Sequence, residues 1–305
     1  MTASLLRLGV HIPIAGGFDK ALHRAKELGC SALQMFSRNP RGWRVSGLDP
    51  SVVRVFRKGT AELDIDPVVI HTPYLVNLAT PEEPLRTNSV AAVVEDLGRA
   101  EELGAAAVVT HVGSGRESPA ASARGRVVSA VREILDRGLT VRLLLENSSG
   151  AGNTVGSSLE ELGEILEGVE GDPRIGFCFD ACHGFAAGYD FRTAETARLL
   201  LRTIEATIGM ERLFLMHLND SAGSLGSRLD RHQHIGKGNI GMEGFRSLLS
   251  EDAFRKVPMI LETPKDRPRD DEENLERIRG IYESTGPKRS QPRGPRGFRG
   301  RHGGK

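Results

Sequence analysis

Eight times along the chain a short apolar, largely β-branched run recurs, and six of the eight close on His, Asp or Glu. The runs are Leu6–Ile12, Ala32–Phe36, Val68–His71, Ala107–His111, Val141–Glu146, Ile175–Asp180, Leu213–His217 and Val257–Glu262. Near-continuous apolar character belongs to strands buried on both faces, as in a parallel sheet. Between them lie stretches with helical period, clearest at Phe18–Leu28, Leu85–Leu103, Ala120–Asp136, Ser158–Glu167, Ala194–Ile208 and Glu273–Tyr282. Ser157 or Ser158 followed by Glu160 and Glu161 has the form of a helix start, and Gly104, Gly138 and Gly209 stand where helices should stop. Strand and helix alternating eight times predicts a (β/α)₈ TIM barrel. A doubly wound open sheet is the other candidate, but His11–Gly17 carries no glycine-rich dinucleotide fingerprint after the first strand. No nucleotide cofactor is expected.

Length and charge divide the chain. Its 305 residues accommodate one barrel and a short extension. Residues 287–305 contain seven basic side chains (Lys288, Arg289, Arg293, Arg296, Arg299, Arg301, Lys305) and no acidic one. The whole chain has a formal net charge of +1, so the remainder carries −6. A Pro, Gly and Arg tail with one aromatic cannot bury a core, so residues 286–305 are expected to be disordered and 1–285 to form the barrel domain. Flexible cations of this kind can neutralise phosphates, or can be a solvated end without a role. No apolar run approaches the ~18 residues that span a membrane, and Met1–Gly9 reads as the lead-in to a strand rather than as a signal peptide. Cys30, Cys178 and Cys182 suggest no disulfide framework. A cytoplasmic protein with reduced thiols, and a monomer, is the expectation.

In a barrel the catalytic groups come from the C-terminal ends of the strands. That rule brings His71, His111, Glu146, Asp180, His217 and Glu262 to one mouth, with His183 just past the sixth strand and Asp230, His232 and His234 in the loop after the seventh. A single His at such a place is more often a hydrogen-bonded structural residue. Many imidazoles and carboxylates sharing one mouth repel or stay unsatisfied unless a cation holds them. Imidazole with carboxylate suits zinc, manganese or iron, and no thiolate is required. A carboxylate such as Glu146 can bridge two cations, as in many phosphodiesterases. The sequence has neither a Ser-His-Asp elbow nor a P-loop. Residues Gly236–Gly241 read as a turn or, less favoured, as amides that meet a phosphate.

Several longer motifs point to a family. Phe179-Asp180-Ala181-Cys182-His183-Gly184-Phe185-Ala186-Ala187-Gly188-Tyr189-Asp190, Met216-His217-Leu218-Asn219-Asp220, and Gly226–His232 resemble signatures of the endonuclease IV family of apurinic/apyrimidinic endonucleases. So do Leu261-Glu262-Thr263-Pro264, Leu145-Glu146-Asn147 and His71–Leu78. The resemblance runs from about Leu8 to Tyr282 and leaves out only the tail. It implies a TIM barrel that incises duplex DNA 5′ to abasic sites, leaves a 3′-hydroxyl, and uses three zinc ions, with Mn²⁺ or Fe²⁺ as substitutes. His71, His111 and Glu146 would hold the first ion. Glu146, Asp180, His217 and Glu262 would hold the second, and His183, Asp230 and His232 the third. The implied mechanism is attack by a metal-bound hydroxide in line with the departing 3′ oxygen, with Glu146 and Glu262 essential to catalysis. By the same resemblance Arg41, in the loop Phe36–Arg44, inserts into the base stack, while Tyr74 and Leu75 hold the duplex kinked. Trp43 could equally pack that loop down. Pro40 stands beside Arg41 where relatives have another residue. His234 is expected in the surrounding shell or loop, His11 under the metals, and His23 and His302 at the surface. A sugar isomerase or epimerase on the same barrel is the principal rival reading.

Overall fold

The structure, a computed structural model, describes residues 6–286. The predicted tail and His302 lie outside those residues. Eight parallel strands form the barrel: β1 (Leu8–Val10), β2 (Leu33–Phe36), β3 (Val68–His71), β4 (Ala107–His111), β5 (Arg142–Glu146), β6 (Ile175–Asp180), β7 (Leu213–His217) and, after a two-stranded hairpin of β8 (Asp220–Ser221) and β9 (His232–Gln233), β10 (Met259–Leu261). The hydrogen-bonded order is β1-β10-β7-β6-β5-β4-β3-β2. The seam between β1 and β2 is closed by a parallel bridge between His11 and Gln34. All eight predicted runs are barrel strands.

Helices α1 (Phe18–Glu27), α2 (Pro50–Glu62), α3 (Glu83–Leu103), α4 (Ala120–Leu135), α5 (Leu159–Gly168), α6 (Ala181–Ala187), α7 (Ala194–Thr207), α8 (Gly241–Leu248), α9 (Asp252–Arg255) and α10 (Asp270–Thr285) follow in turn. The six expected from periodicity are present within a few residues. Ser158 caps α5 by accepting from the Glu161 amide at 3.1 Å, which satisfies one of the donors a helix start leaves free. The short α6, α8 and α9 were not foreseen. Neither was α2, although Asp49 followed by Pro50 is a cap-and-proline start. No described helix is long and apolar enough to cross a membrane.

The strand period of two builds the mouth. Inside the barrel, Ala32, Val69, Ala107, Val109, Leu144, Cys178, Leu215 and Ile260 form an apolar plug. Two residues further along the same strands stand Gln34, His71, His111, Glu146, Asp180, His217 and Glu262. Successive side chains alternate faces, so whatever follows a plug residue by two also points inward. Register completes the arrangement, pairing Phe36 with His71, His111 with Glu146, and Asp180 with His217. The ligating types therefore lie at one level, on a dry floor that excludes water from below.

Candidate metal centre

Glu146 is wholly buried and uses both oxygens. Its Oε2 lies 3.2 Å from His71 Nε2 and 3.4 Å from His111 Nε2, while Oε1 lies 3.1 Å from His217 Nδ1. His217 Nδ1 also faces Glu262 Oε2 at 3.3 Å and Asp180 Oδ2 at 3.8 Å. A third group sits beside these, with His183 Nε2 3.1 Å and His232 Nε2 3.6 Å from Asp230 Oδ1. In each of the three groups the nearest ligand atoms fall within 4.8 Å of one another. All nine predicted ligand residues are thus brought together, in the three predicted sets.

Whether these groups fit cations can be tested on their hydrogen atoms. The other ring nitrogen of three imidazoles is committed to a carbonyl: His71 Nδ1 to Thr72 O at 2.8 Å, His183 Nδ1 to Asn147 O at 3.0 Å, and His232 Nδ1 to Glu262 O at 3.1 Å. A carbonyl only accepts, so each of those nitrogens carries a proton, and in the neutral ring each Nε2 presents a lone pair. Those lone pairs confront carboxylate oxygens. His232 Nε2 is buried and has no hydrogen-bond partner among the described residues. Lone pairs facing anions in a buried mouth require a positive charge between them, either protons or metal ions. The donor set of imidazole and carboxylate, with no thiolate in any of the three, suits zinc. The Glu146 carboxyl is held well below the usual carboxylate range. Burial works against its charge, but His111 and His217 outweigh it. Glu262 is likewise held well below that range, with burial opposing its charge and His217 outweighing burial.

Above these groups opens a cavity of about 420 Å³, with Phe36, Tyr74, Val76 and Lys265 on its walls. Tyr74 is 68% exposed and meets Phe36 edge-on, ring centres 5.3 Å apart. Leu75 beside it is half-buried, and Arg41 is exposed at the loop after β2. Pro40 does not unravel that loop: Asn39 Oδ1 accepts the Arg41 amide at 3.0 Å, a local turn of the kind Asn favours. Trp43 packs against the core.

Gly236–Gly241 proves to be a turn whose amides are already occupied. Those of Gly236 and Gly238 donate to Asp220 Oδ2 at 2.9 and 3.0 Å, and that of Ile240 to Oδ1 at 3.0 Å. A side chain at Gly238 would collide with Ser221 O and Asp220, so glycine is required there by close approach. His234 lies outside the three groups, Nδ1 3.0 Å from Asn274 Nδ2 and Nε2 3.5 Å from Asp266. His11 contacts Glu262 at 3.4 Å, and His23 is an exposed partner of Glu27. Sequence reasoning gave no role to Gln34, Asn147 or Asn219. Asn219 donates to Asp180 Oδ2 at 2.7 Å and accepts the Glu262 amide at 2.7 Å; Asn147 Oδ1 accepts the Asp180 amide at 2.7 Å. For Asn147 and Asn219 the signal is position, one or two residues past a proposed ligand; Gln34 has no such signal.

Comparison with known proteins places this geometry. Residues 22–281 match a family model described as a xylose isomerase-like TIM barrel. A "Probable endonuclease 4" of Methanoculleus marisnigri is 46% identical over 279 residues, covering 91% of this chain and 99% of that one. The chain belongs to the endonuclease IV family. It is thereby an apurinic/apyrimidinic endonuclease of the deoxyribonuclease IV type. Among solved structures, endonuclease IV from Thermus thermophilus superposes with a TM-score of 0.81 at 39% identity, covering 91% of this chain and 99% of that one. A D-tagatose 3-epimerase-like protein superposes with a TM-score of 0.68 at 20% identity, covering 92% and 98%. That second likeness shows a shared barrel alone.

Proposed function

We propose that this chain hydrolyses the phosphodiester 5′ to abasic sites in duplex DNA, leaving a 3′-hydroxyl, with three zinc ions held at the barrel mouth. The observation that carries this reading is the sharing of Glu146 between two ligand groups, with His183, Asp230 and His232 beside them as a third. Bound divalent cations would supply Lewis-acid polarisation of the phosphodiester and activation of water at neutral pH. His71, His111 and Glu146 would hold the first; Glu146, Asp180, His217 and Glu262 the second; His183, Asp230 and His232 the third. The chain's own task is orientation. Backbone carbonyls of Thr72, Asn147 and Glu262 fix three imidazoles with their lone pairs inward. The apolar plug beneath keeps bulk water from the reacting phosphate. Tyr74 and Leu75 at the rim, and Arg41 on the neighbouring loop, offer an aromatic edge, an apolar wedge and a cation to a kinked duplex whose abasic nucleotide is turned out of the stack. The reading places the enzyme in the cytoplasm and needs no nucleotide cofactor.

The test is incision of a duplex carrying a tetrahydrofuran abasic analogue. Cleavage 5′ to the analogue without added magnesium is expected, with Glu146→Ala and Glu262→Gln each losing at least a hundredfold in rate. Metal analysis should find close to three ions per chain. An intact analogue in the presence of zinc or manganese would sink the reading. One or two ions together with interconversion of ketoses would move it to the sugar epimerases that share the fold.

A further inference from the structure

One polar side chain is buried inside β2, where a barrel wall otherwise wants apolar groups. Gln34 is fully buried, and each polar atom of its carboxamide has a partner. Its Nε2 donates to Glu262 Oε1 at 2.6 Å and lies 3.0 Å from His11 Nδ1; its Oε1 lies 2.8 Å from His217 Nε2. The orientation of the amide is decided by Glu262. Turned over, the amide oxygen would stand against a carboxylate oxygen, lone pair on lone pair. With Oε1 facing His217, the Nε2 of that ring must carry the proton. The lone pair of His217 is then left on Nδ1, the atom facing Glu146, Asp180 and Glu262. The second amide hydrogen makes His11 Nδ1 an acceptor. Gln34 thus does for His217 what backbone carbonyls do for His71, His183 and His232, and it holds Glu262 as well.

We propose that Gln34 is a positioning residue that fixes the metal-binding tautomer of His217 and the rotamer of Glu262 together, so that the second cation position depends on it more than the other two do. It rests on the metal reading above. Among the described residues no backbone carbonyl bonds a ring nitrogen of the wholly buried His217, whose ring partners are Glu146 and Gln34. An inward side chain from across the seam supplies the acceptor. Gln34 also spans that seam, since its own backbone carbonyl accepts the Ile12 amide at 2.8 Å. Outer partners of metal-bound His commonly matter by ~10- to 100-fold in metal affinity.

The experiment uses the full-length, zinc-loaded protein with ¹⁵N-labelled histidine. In the parent, His217 should show a protonated Nε2 and a metal-bound Nδ1. Gln34→Leu should weaken one of the bound zinc ions by ~10- to 100-fold in competition with a chromophoric chelator, leaving the others at parental affinity. Turnover should fall with that ion while KM for the abasic duplex stays near parental. Gln34→Glu retains the acceptor facing His217 and a similar volume but loses the donor to Glu262; it is expected to keep the Nε2 proton of His217 while the hold on Glu262 is lost, which separates the tautomer from packing if the leucine variant fails to fold. Zinc on Nε2 of His217 in the parent overturns the proposal. So do parental zinc affinities in Gln34→Leu, and so does an equal weakening of every ion together with a loss of stability in the metal-free protein. A parent that binds no zinc removes the metal reading, and this proposal with it, whereas the other adverse results leave that reading standing.

Discussion

Asp172 and Arg174 form a partly exposed ion pair away from the barrel mouth. The guanidinium grips the carboxylate with two bonds, Nε to Oδ1 at 3.0 Å and Nη2 to Oδ2 at 2.7 Å, and the Arg174 amide adds a third at 2.8 Å. Arg174 accordingly holds the Asp172 carboxyl below its ordinary value. A folded pKa below the unfolded one means stability present above the unfolded value, near ~3.9, and lost as pH falls through the folded value. Because both side chains are partly exposed, Asp172→Asn should cost no more than ~1 kcal/mol at pH 7. Urea midpoints at pH 7 and at pH 2.5 check this: the gap between parent and variant should close at the lower pH. A gap of unchanged size would assign the effect to shape. Inside the mouth His71 and His217 lie 3.1–3.2 Å from Glu146 with all three side chains buried, where solvent screening is much weaker. His71, His111, Glu146, Asp180, His217 and Glu262 were legible because each ends a run whose period already told which way it points. Gln34 was not, since a polar residue in an apolar strand has no meaning until its partners are known.

At the scale of elements, the loop between β2 and α2 is tied to α3 by a buried cluster. Asp96 accepts from Ser37 Oγ at 2.6 Å and from Arg38 at 3.1 and 3.2 Å. Arg38 also holds Trp43 O at 3.2 Å, while Arg99 holds Ser37 O at 2.6 Å and Ser46 O at 2.8 Å. The loop carrying Arg41 is therefore fixed at both ends and near its middle, which lowers the entropy lost when it meets a rigid partner. Asp96→Asn would leave the buried Arg38 guanidinium without its anion, at a cost of ~3–5 kcal/mol. Trp43 is the one tryptophan in the chain, so its fluorescence reads this loop. In the parent it should report unfolding together with far-ultraviolet circular dichroism; in the variant the fluorescence change should come first. Coincident transitions in both proteins would show that the cluster stabilises the barrel generally and not the loop. The helix α2 and the β8–β9 hairpin escaped periodicity for a plain reason. Only Phe56 and Thr60 of α2 are buried, and each hairpin strand has two residues, so neither leaves a repeat to read.

For the whole molecule, cations held by the three proposed ligand groups would couple binding to folding, because the six strand ends that supply most of those residues are adjacent only in the closed barrel. A ligand that binds the folded state alone at a thousand times its Kd contributes ~4 kcal/mol. Stripping the protein with a chelator is therefore expected to lower Tm by on the order of 10 °C, with zinc restoring it and magnesium failing to do so. An unchanged Tm after complete removal would mean that the imidazoles are satisfied by protons alone. The barrel, its inward face and its ligand types follow from local periodicities of two and 3.6 residues and from where each run ends, and so they are written in the chain. Which inward groups meet is a different matter. Gln34 finds His11 at a separation of 23 residues, His217 at 183 and Glu262 at 228, and the amides of 236–241 are filled by Asp220 rather than left for a phosphate. Such pairings depend on strand register and on closure of the β1–β2 seam. Side-chain period carries no information about either, so the contacts of Gln34 and the tautomers they set came into view only in the folded barrel.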